Sequence, residues 1–202
     1  PDYLGNILDV EGIARVCDEF SVPLLVDNAH GAYLAFLSPS EHPIAKGAAM
    51  CADSAHKTLP VLTGGAYLHI SNKYGHFKKW ARSALSLFAS TSPSYLILSS
   101  LDLVNSYVAD GYPERLSKFI LEVEKIKKKH NLSLDTEPLK IVLRGSHGDA
   151  LREAGVECEF CDNDYTVLML TPENEPDLEK IDTAISKLNL KNDAAPESDI
   201  PL

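Results

Sequence analysis

The sequence is short of the features that mark several classes of protein. Cysteine occurs only four times in 202 residues, which is too rare for a fold held together by disulfides. Lys and Arg number 19 against 29 Asp and Glu, and the formal net charge of −10 provides no overall field that attracts nucleic acid or anionic lipid. Apolar residues make up 45% of the chain, so we expect a folded, water-soluble protein.

Targeting and membrane signals are also missing from the sequence. The chain begins at Pro1 without an initiator Met, a basic n-region or an apolar h-region. We therefore expect a cytoplasmic protein, and we interpret the chain as part of a longer one. The longest uncharged run, residues 83–101, approaches the length of a membrane span, but it contains seven Ser, one Thr and one Pro. This run predicts two helices joined by a loop.

Residues 1–111 predict a mostly parallel α/β domain. The apolar run 22–26 lacks alternation, as in a strand that is buried on both faces. Further short strands are predicted over 48–52 and 66–70, and apolar spacing predicts helices over 9–20, 73–88 and 94–110.

Residues 112–190 predict a small α+β domain, and the polar residues 191–202 predict a flexible tail. Helices are predicted over 114–130, 149–154 and 177–188, and strands over 139–143, 156–161 and 166–170. The first of these helices ends in four lysines within residues 125–129. We expect these lysines to form a solvated last turn, where cations suit the helix dipole.

Cys158 and Cys161 form a C-x-x-C sequence in the second region. Redox-active pairs of this kind sit at a helix N-terminus, which lowers the pKa of a thiol. The two cysteines instead lie in an alternating run that predicts a strand, where positions three apart face opposite sides. The pattern therefore favours two ordinary strand cysteines. No second pair is present to complete a structural zinc site.

Two predicted strands end in the same D-x-A-H pattern, Asp27 to His30 and Asp53 to His56. Functional groups gather at the carboxyl ends of strands in open α/β sheets. Lys57 follows the second pattern and is a candidate for imine formation with a carbonyl group, although a solvated surface lysine fits the same position. Asp27 needs a partner, which can be the pyridinium nitrogen of pyridoxal phosphate or a backbone amide in a helix cap.

Three motifs follow one another in the sequence. They are Val26-Asp27-Asn28-Ala29-His30-Gly31-Ala32, then Asp53-Ser54-Ala55-His56-Lys57-Thr58-Leu59-Pro60, and then Ser90-Thr91-Ser92-Pro93-Ser94-Tyr95. In this order they closely resemble the Orn/Lys/Arg decarboxylase family, whose members are pyridoxal-phosphate enzymes of the aspartate-aminotransferase fold. The resemblance is strong over residues 1–110 and weaker beyond. It implies a large domain of the pyridoxal-phosphate-dependent transferase type, of which residues 1–111 would be the second half. The chain would then be a fragment that lacks the N-terminal half of this domain, and we expect an unpaired sheet edge.

The resemblance also implies roles for individual residues. Lys57 would be the Schiff-base lysine, Asp27 would hold the pyridinium nitrogen, and His30 would lie beside the cofactor ring. A pair of residues that precede the lysine in the second motif would contact the cofactor phosphate. One residue of the third motif would reach the phosphate of a neighbouring subunit. A homodimer or higher homo-oligomer would then be part of the site. The phosphate-contacting candidates are Ser54, His56, Ser90 and Thr91.

The implied reaction is decarboxylation of lysine, arginine or ornithine, with pyridoxal 5′-phosphate as cofactor and no metal. Three alternatives stay open on the residues alone. An aminotransferase or lyase of the same fold shares the lysine and the aspartate. A metal-dependent hydrolase would use Asp27, His30, Asp53 and His56 as ligands. A non-catalytic fragment is the third alternative, because the family's phosphate loop and ring-stacking aromatic residue do not precede Pro1.

Overall fold

The computed structural model describes residues 1–89 and 91–190. The chain forms two compact units, one containing Pro1 and Leu8–Ser117 and the other containing Asp2–Ile7 and the chain from Lys118 onward. The chain passes from the first unit to the second inside a helix, whereas the sequence pattern predicts a boundary at Gly111. The domain assignment stays a prediction, and the predicted tail 191–202 lies outside the described residues.

The first unit contains a three-stranded sheet in the order β1 (Leu25–Asp27), β2 (Met50–Asp53) and β3 (Tyr67–Ile70). β1 runs parallel to β2, with Asp27 opposite Ala52. β3 runs antiparallel to β2, with His69 opposite Cys51. The mostly parallel arrangement expected from the sequence is therefore limited to the β1–β2 pair. Because these two strands are parallel, their carboxyl ends lie at the same edge of the sheet.

The three helices predicted in the first unit are present, but one of them is divided, and a short helix over Ala55–Thr58 was not predicted. The first helix is α1 (Val10–Glu19), and the Asp9 side chain caps it by accepting a hydrogen bond from the Gly12 N–H at 2.8 Å. The predicted helix 73–88 is divided, because Tyr74 has non-helical dihedral angles within a 3₁₀ segment that precedes the α-helix. No helix in the described part of the chain is both long and apolar enough to cross a membrane. The helices are α1 (Val10–Glu19), α2 (Ala55–Thr58), α3 (Lys78–Phe88), α4 (Tyr95–Ala109) and α5 (Tyr112–Lys129), with 3₁₀ turns over Ala32–Phe36 and Asn72–Phe77.

One face of this sheet is covered and the other is open. Along β2 the side chains of Cys51 and Asp53 are buried and that of Ala52 is exposed, which is the two-residue period of a strand packed on one side. Leu25 is 63% exposed and Leu68 is 37% exposed. The expectation that 22–26 is buried on both faces is therefore wrong, because the described residues of this unit pack against one face only. The buried apolar residues include Tyr33, Leu34, Ala48, Ala49, Ala55, Leu59 and Val61.

The second unit contains an antiparallel sheet in the order β4 (Lys140–Arg144), β6 (Tyr165–Met169) and β5 (Phe160–Cys161). Two helices accompany the sheet, α6 (Gly148–Glu153) and α7 (Leu178–Ser186), with a 3₁₀ turn at Pro172–Asp177. The helix α7 buries the spaced residues Ile181, Ala184 and Ile185, as its apolar pattern predicts. The predicted strand 156–161 is reduced to its last two residues.

The sequence pattern predicted that all the lysines at the end of α5 are solvated, but one of them is buried. Lys127 is only 2% exposed, and its Nζ donates hydrogen bonds to Thr136 Oγ1 at 3.1 Å and to the carbonyl oxygen of Glu137 at 3.0 Å. Burial lowers the pKa of Lys127 to about 8. The expectation is wrong at this position because the last turn of α5 places one lysine against the interior while its neighbours form exposed ion pairs.

Candidate active site

Two of the predicted catalytic residues are in direct contact. Lys57 lies on α2, immediately after β2, and His30 lies three residues after the end of β1. The Nζ atom of Lys57 is 2.8 Å from Nε2 of His30, and His30 is 3% exposed. The parallel pairing of β1 and β2 explains the contact, because it brings the segments that follow both strands to one edge.

Asp27 is the last residue of β1 and faces the open side of the sheet. Its Oδ1 accepts a hydrogen bond from the Ala29 N–H at 3.1 Å, which orients the carboxylate in a local turn. A groove of about 460 Å³ opens along this face and is lined by Asp27, Ala29, Ala52, Ser54 and Ala66, among others. Its volume is in the range of small-molecule sites. Lys57 and His30 do not line this groove.

The two residues predicted to contact a phosphate differ in their surroundings. Ser54 lines the same groove as Asp27 and precedes α2 without a side-chain capping hydrogen bond. Nδ1 of His56 is 3.0 Å from the carbonyl oxygen of Gly65. A carbonyl oxygen can only accept, so Nδ1 carries the proton of the neutral ring and Nε2 does not. His56 can therefore donate to a phosphate oxygen through Nε2 only in its protonated form.

The third motif contributes less to the observed geometry. Thr91 is exposed at a bend between α3 and α4, and Ser90 lies outside the described residues. A larger groove of about 580 Å³ next to α3 is lined by residues such as Arg82, Leu85 and Leu98. This larger groove contains none of the predicted site residues. The candidate site therefore lies at the carboxyl ends of β1 and β2 rather than in this groove beside α3.

Asp53 is the centre of a buried hydrogen-bond network that the sequence did not reveal. Its Oδ2 lies 2.9 Å from Nε2 of His42 and 2.9 Å from Nε2 of His69. Its Oδ1 accepts a hydrogen bond from Nδ2 of Asn28 at 2.9 Å. Asn28 follows Asp27 directly, so this network ties the end of β1 to the end of β2.

The network keeps a buried carboxylate ionised. Asp53 is only 3% exposed, and burial alone would raise its pKa. The hydrogen bonds from His42 and Asn28 and the close contact with His69 outweigh burial and hold the pKa of Asp53 well below its usual range. Burial, together with the charge of Asp53, raises the pKa of the neighbouring Cys51 thiol.

The alternative metal-ligand set is not assembled. In the described residues, the group of His, Cys, Asp and Glu side chains that lies close enough for a metal ion is His42, Cys51 and Asp53. Nδ1 of His42 accepts a hydrogen bond from the Ile44 N–H at 3.3 Å, so the proton of a neutral ring is on Nε2, the atom that faces Asp53. A histidine ligand usually donates from its second nitrogen instead. This cluster is better explained as a hydrogen-bond network.

Solved structures of other proteins share this fold. The lysine decarboxylase LdcF of Francisella novicida superposes with a TM-score of 0.67 at 18% identity, over 92% of this chain and 34% of that chain. A NifS-like protein from Rickettsia africae superposes with a TM-score of 0.65 at 14% identity, over 92% of this chain and 59% of that chain. This chain therefore has the fold that these two proteins share.

The family follows from the sequence comparison. The model of the Orn/Lys/Arg decarboxylase major domain matches residues 1–145, so the chain belongs to the Orn/Lys/Arg decarboxylase family, as its motifs predicted. The uncharacterized protein YaaO of Bacillus subtilis is 31% identical over 84% of this chain and 40% of its own length. The arginine decarboxylase of Bacillus anthracis is 31% identical over 65% of this chain and 27% of its own. The chain thus spans less than half the length of these curated relatives.

Sequence reasoning missed the two histidines that hold Asp53. One signal was available: Cys51 and Asp53 alternate along β2, so both side chains point to one face, and a residue on β3 opposite them points to the same face. His69 satisfies that condition. No signal was available for His42, which reaches Asp53 from a loop eleven residues earlier in the sequence.

Proposed function

We propose that this chain carries the lysine-bearing part of a pyridoxal-phosphate-dependent decarboxylase that acts on lysine, arginine or ornithine and releases CO2 and an amine. The observation that supports this proposal most directly is the 2.8 Å contact between Lys57 Nζ and His30 Nε2. The histidine of the first motif and the lysine of the second are in contact, although they are 27 residues apart in the sequence.

Lys57 provides the amine that attaches the cofactor. A lysine is nucleophilic only as the neutral amine, and the histidine in contact with it can accept its proton. Because His30 is buried, its ring is held in place and the proton transfer has a fixed geometry. We therefore assign to His30 the role of holding and returning a proton at Nζ of Lys57.

The donor set at the strand ends fits pyridoxal 5′-phosphate, the cofactor that this family uses. When bound, the cofactor supplies a ring that takes up the electrons of the bond that breaks at Cα. Asp27 would hold the ring nitrogen, because its carboxylate lines the groove and is oriented by the Ala29 N–H. Ser54 would bind a phosphate oxygen in the same groove, and protonated His56 would add a charged donor.

A direct experiment is to mix the 202-residue chain with pyridoxal phosphate, reduce it with borohydride and map the modified peptide by mass spectrometry. We expect a visible absorption band that borohydride bleaches, with the label on Lys57. The Lys57→Arg variant should lose both signals, whereas the Lys46→Arg variant should keep them, because Lys46 pairs with Glu41 away from the site. Labelling at several lysines, or none at Lys57, would contradict the proposal.

The substrate and the assembly are tested separately. Release of labelled CO2 from lysine, arginine and ornithine, compared at equal concentration, identifies the substrate. Transfer of the amino group to a keto acid instead would indicate an aminotransferase of the same fold.

We also propose a homodimer to which Ser90 or Thr91 contributes, and a cytoplasmic location. Sedimentation with and without the cofactor tests the dimer.

A further inference from the structure

Cys158 and Cys161 face the same space in the second unit. The chain bends at Glu159 and β5 begins only at Phe160, so the two cysteines do not lie along one extended strand. A Cβ atom built on Gly148 would lie 3.0 Å from Sγ of Cys161 and 3.7 Å from Sγ of Cys158. Both sulfur atoms therefore lie beside the same glycine. The expectation that the two thiols face opposite sides is wrong, because the strand is too short to contain both.

The two thiols have different surroundings. Cys161 is exposed, whereas Cys158 is partly buried. The Sγ atom of Cys161 lies 3.3 Å from Thr166 Oγ1 and 3.6 Å from Ser146 Oγ. The hydrogen bond with Thr166, followed by those with Ser146 and the backbone of Gly148, holds the pKa of Cys161 below its usual range. Burial, and then the nearby Cys161, raise the pKa of Cys158.

Thiol–disulfide exchange needs one cysteine that attacks and a second that closes the disulfide, and the two thiols differ in the way that these two steps require. The thiolate is the attacking species, so the exposed cysteine, whose pKa is lowered, reacts before the partly buried one. The partly buried cysteine keeps its proton until a mixed disulfide has formed beside it. The absence of a side chain at Gly148 leaves the space in which the two sulfurs can meet, because a methyl group there would crowd Cys161.

We propose that Cys158 and Cys161 form a redox-active dithiol, in which Cys161 attacks a low-molecular-weight disulfide and Cys158 then closes an intramolecular disulfide. In the first step the Cys161 thiolate bonds to one sulfur of the small disulfide and the other sulfur leaves as a thiolate. In the second step Cys158 gives its proton to that released thiolate and attacks the Cys161 sulfur, which expels the second small thiolate. The protein loses two electrons and two hydrogens, and the small disulfide is reduced to two thiols. The proposal is independent of the proposed decarboxylase function.

The test uses the full 202-residue chain with oxidised glutathione at neutral pH, followed by alkylation of the remaining thiols and peptide mapping. We expect an intramolecular Cys158–Cys161 disulfide in the unmodified protein. The Cys158→Ser variant should accumulate a glutathione adduct on Cys161, and the Cys161→Ser variant should leave Cys158 unmodified on the same timescale. With iodoacetamide, Cys161 should be alkylated about 10-fold faster than Cys158.

Three further variants separate the proposal from nonspecific oxidation. Cys17→Ser should leave the disulfide and its rate unchanged, because Cys17 belongs to the first unit. Ser146→Ala should move the alkylation profile of Cys161 to higher pH, and Gly148→Ala should slow closure of the disulfide without changing the far-UV circular dichroism. Faster reaction of Cys158 than of Cys161, or glutathione adducts on both cysteines without closure, would overturn the proposal.

Discussion

Lys57 and His30 are joined side chain to side chain, with Nζ 2.8 Å from Nε2, although each follows a different strand. The two residues are far apart in the sequence, so local structure alone does not bring them into contact. The contact exists because β1 and β2 are parallel and end at the same edge of the sheet. It gives the candidate site its most specific chemical feature, an amine with a proton acceptor held in a buried position.

His30→Gln tests the role of the histidine. The amide keeps a polar group near Lys57 but cannot accept a proton at neutral pH, so attachment of pyridoxal phosphate should slow by about 10-fold or more at pH 7. The deficit should shrink as the pH rises, because hydroxide then removes the proton. Stopped-flow absorbance between pH 6 and 10 measures both effects. A uniform deficit across this range would indicate that His30 acts only in packing.

Asp27→Asn separates cofactor chemistry from folding. Asp27 is exposed, so the free energy of unfolding should change by less than about 0.5 kcal/mol. The amide cannot keep the cofactor ring nitrogen protonated, so CO2 release should fall by about 100-fold or more while the label on Lys57 persists. Urea denaturation and labelled-CO2 release provide the two measurements. Restored activity in Asp27→Glu would support the charge as the cause.

Asp53→Asn should differ from Asp27→Asn in that its main effect is a lower free energy of unfolding. The substitution places an amide group against the His42 N–H, the Nε2 atom of His69 and the Asn28 amide, and we expect a loss of about 3 kcal/mol at pH 7. Asp27→Asn is the matched control, since it makes the same chemical change at the neighbouring strand end. Equal stabilities of the two variants would show that the network does not hold the strand ends together.

The difference in stability between the original protein and the Asp53→Asn variant should become smaller at low pH. The folded pKa of Asp53 is lowered, so its contribution to stability is complete above the unfolded value of about 3.9 and is lost as the pH falls toward the folded value. The stability difference between the original protein and Asp53→Asn should therefore shrink below about pH 4. Urea midpoints at pH 7, 5, 4 and 3 measure the difference. A difference that stays constant down to pH 3 would exclude an ionised Asp53 as its source.

The lowered pKa of Lys127 predicts that the free energy of unfolding changes at alkaline pH. Its folded pKa is about 8 against an ordinary 10.5, so the unfolded chain binds more protons between these two values. Relative to Lys127→Met, the original protein should therefore gain up to about 3 kcal/mol of stability as the pH rises from 8 to 10.5. Lys128→Met is the control, because Lys128 is exposed and pairs with Glu124. Parallel stability curves for the original protein and the Lys127→Met variant would contradict the lowered pKa.

Most of the elements could be predicted from local patterns. Among the described residues, five of the six strands fall within three residues of the predicted ranges, since short apolar runs bounded by polar clusters and glycine mark them. The divided helix over Asn72–Phe77 and Lys78–Phe88 was missed because apolar spacing continues across the irregular Tyr74. The predicted strand 156–161 was too long because alternation of residue types does not reveal a bend at Glu159.

The sequence by itself determined the family, the three ordered motifs and the lysine and aspartate that they contain, because these are properties of residue types at fixed spacings. Only the tertiary structure decided which side chains meet. His42 and His69 converge on Asp53, Lys127 is buried within a run of lysines, and two cysteines share the space beside Gly148. These contacts arise from strand register and from the path of loops, which depend on packing between distant segments rather than on local propensity.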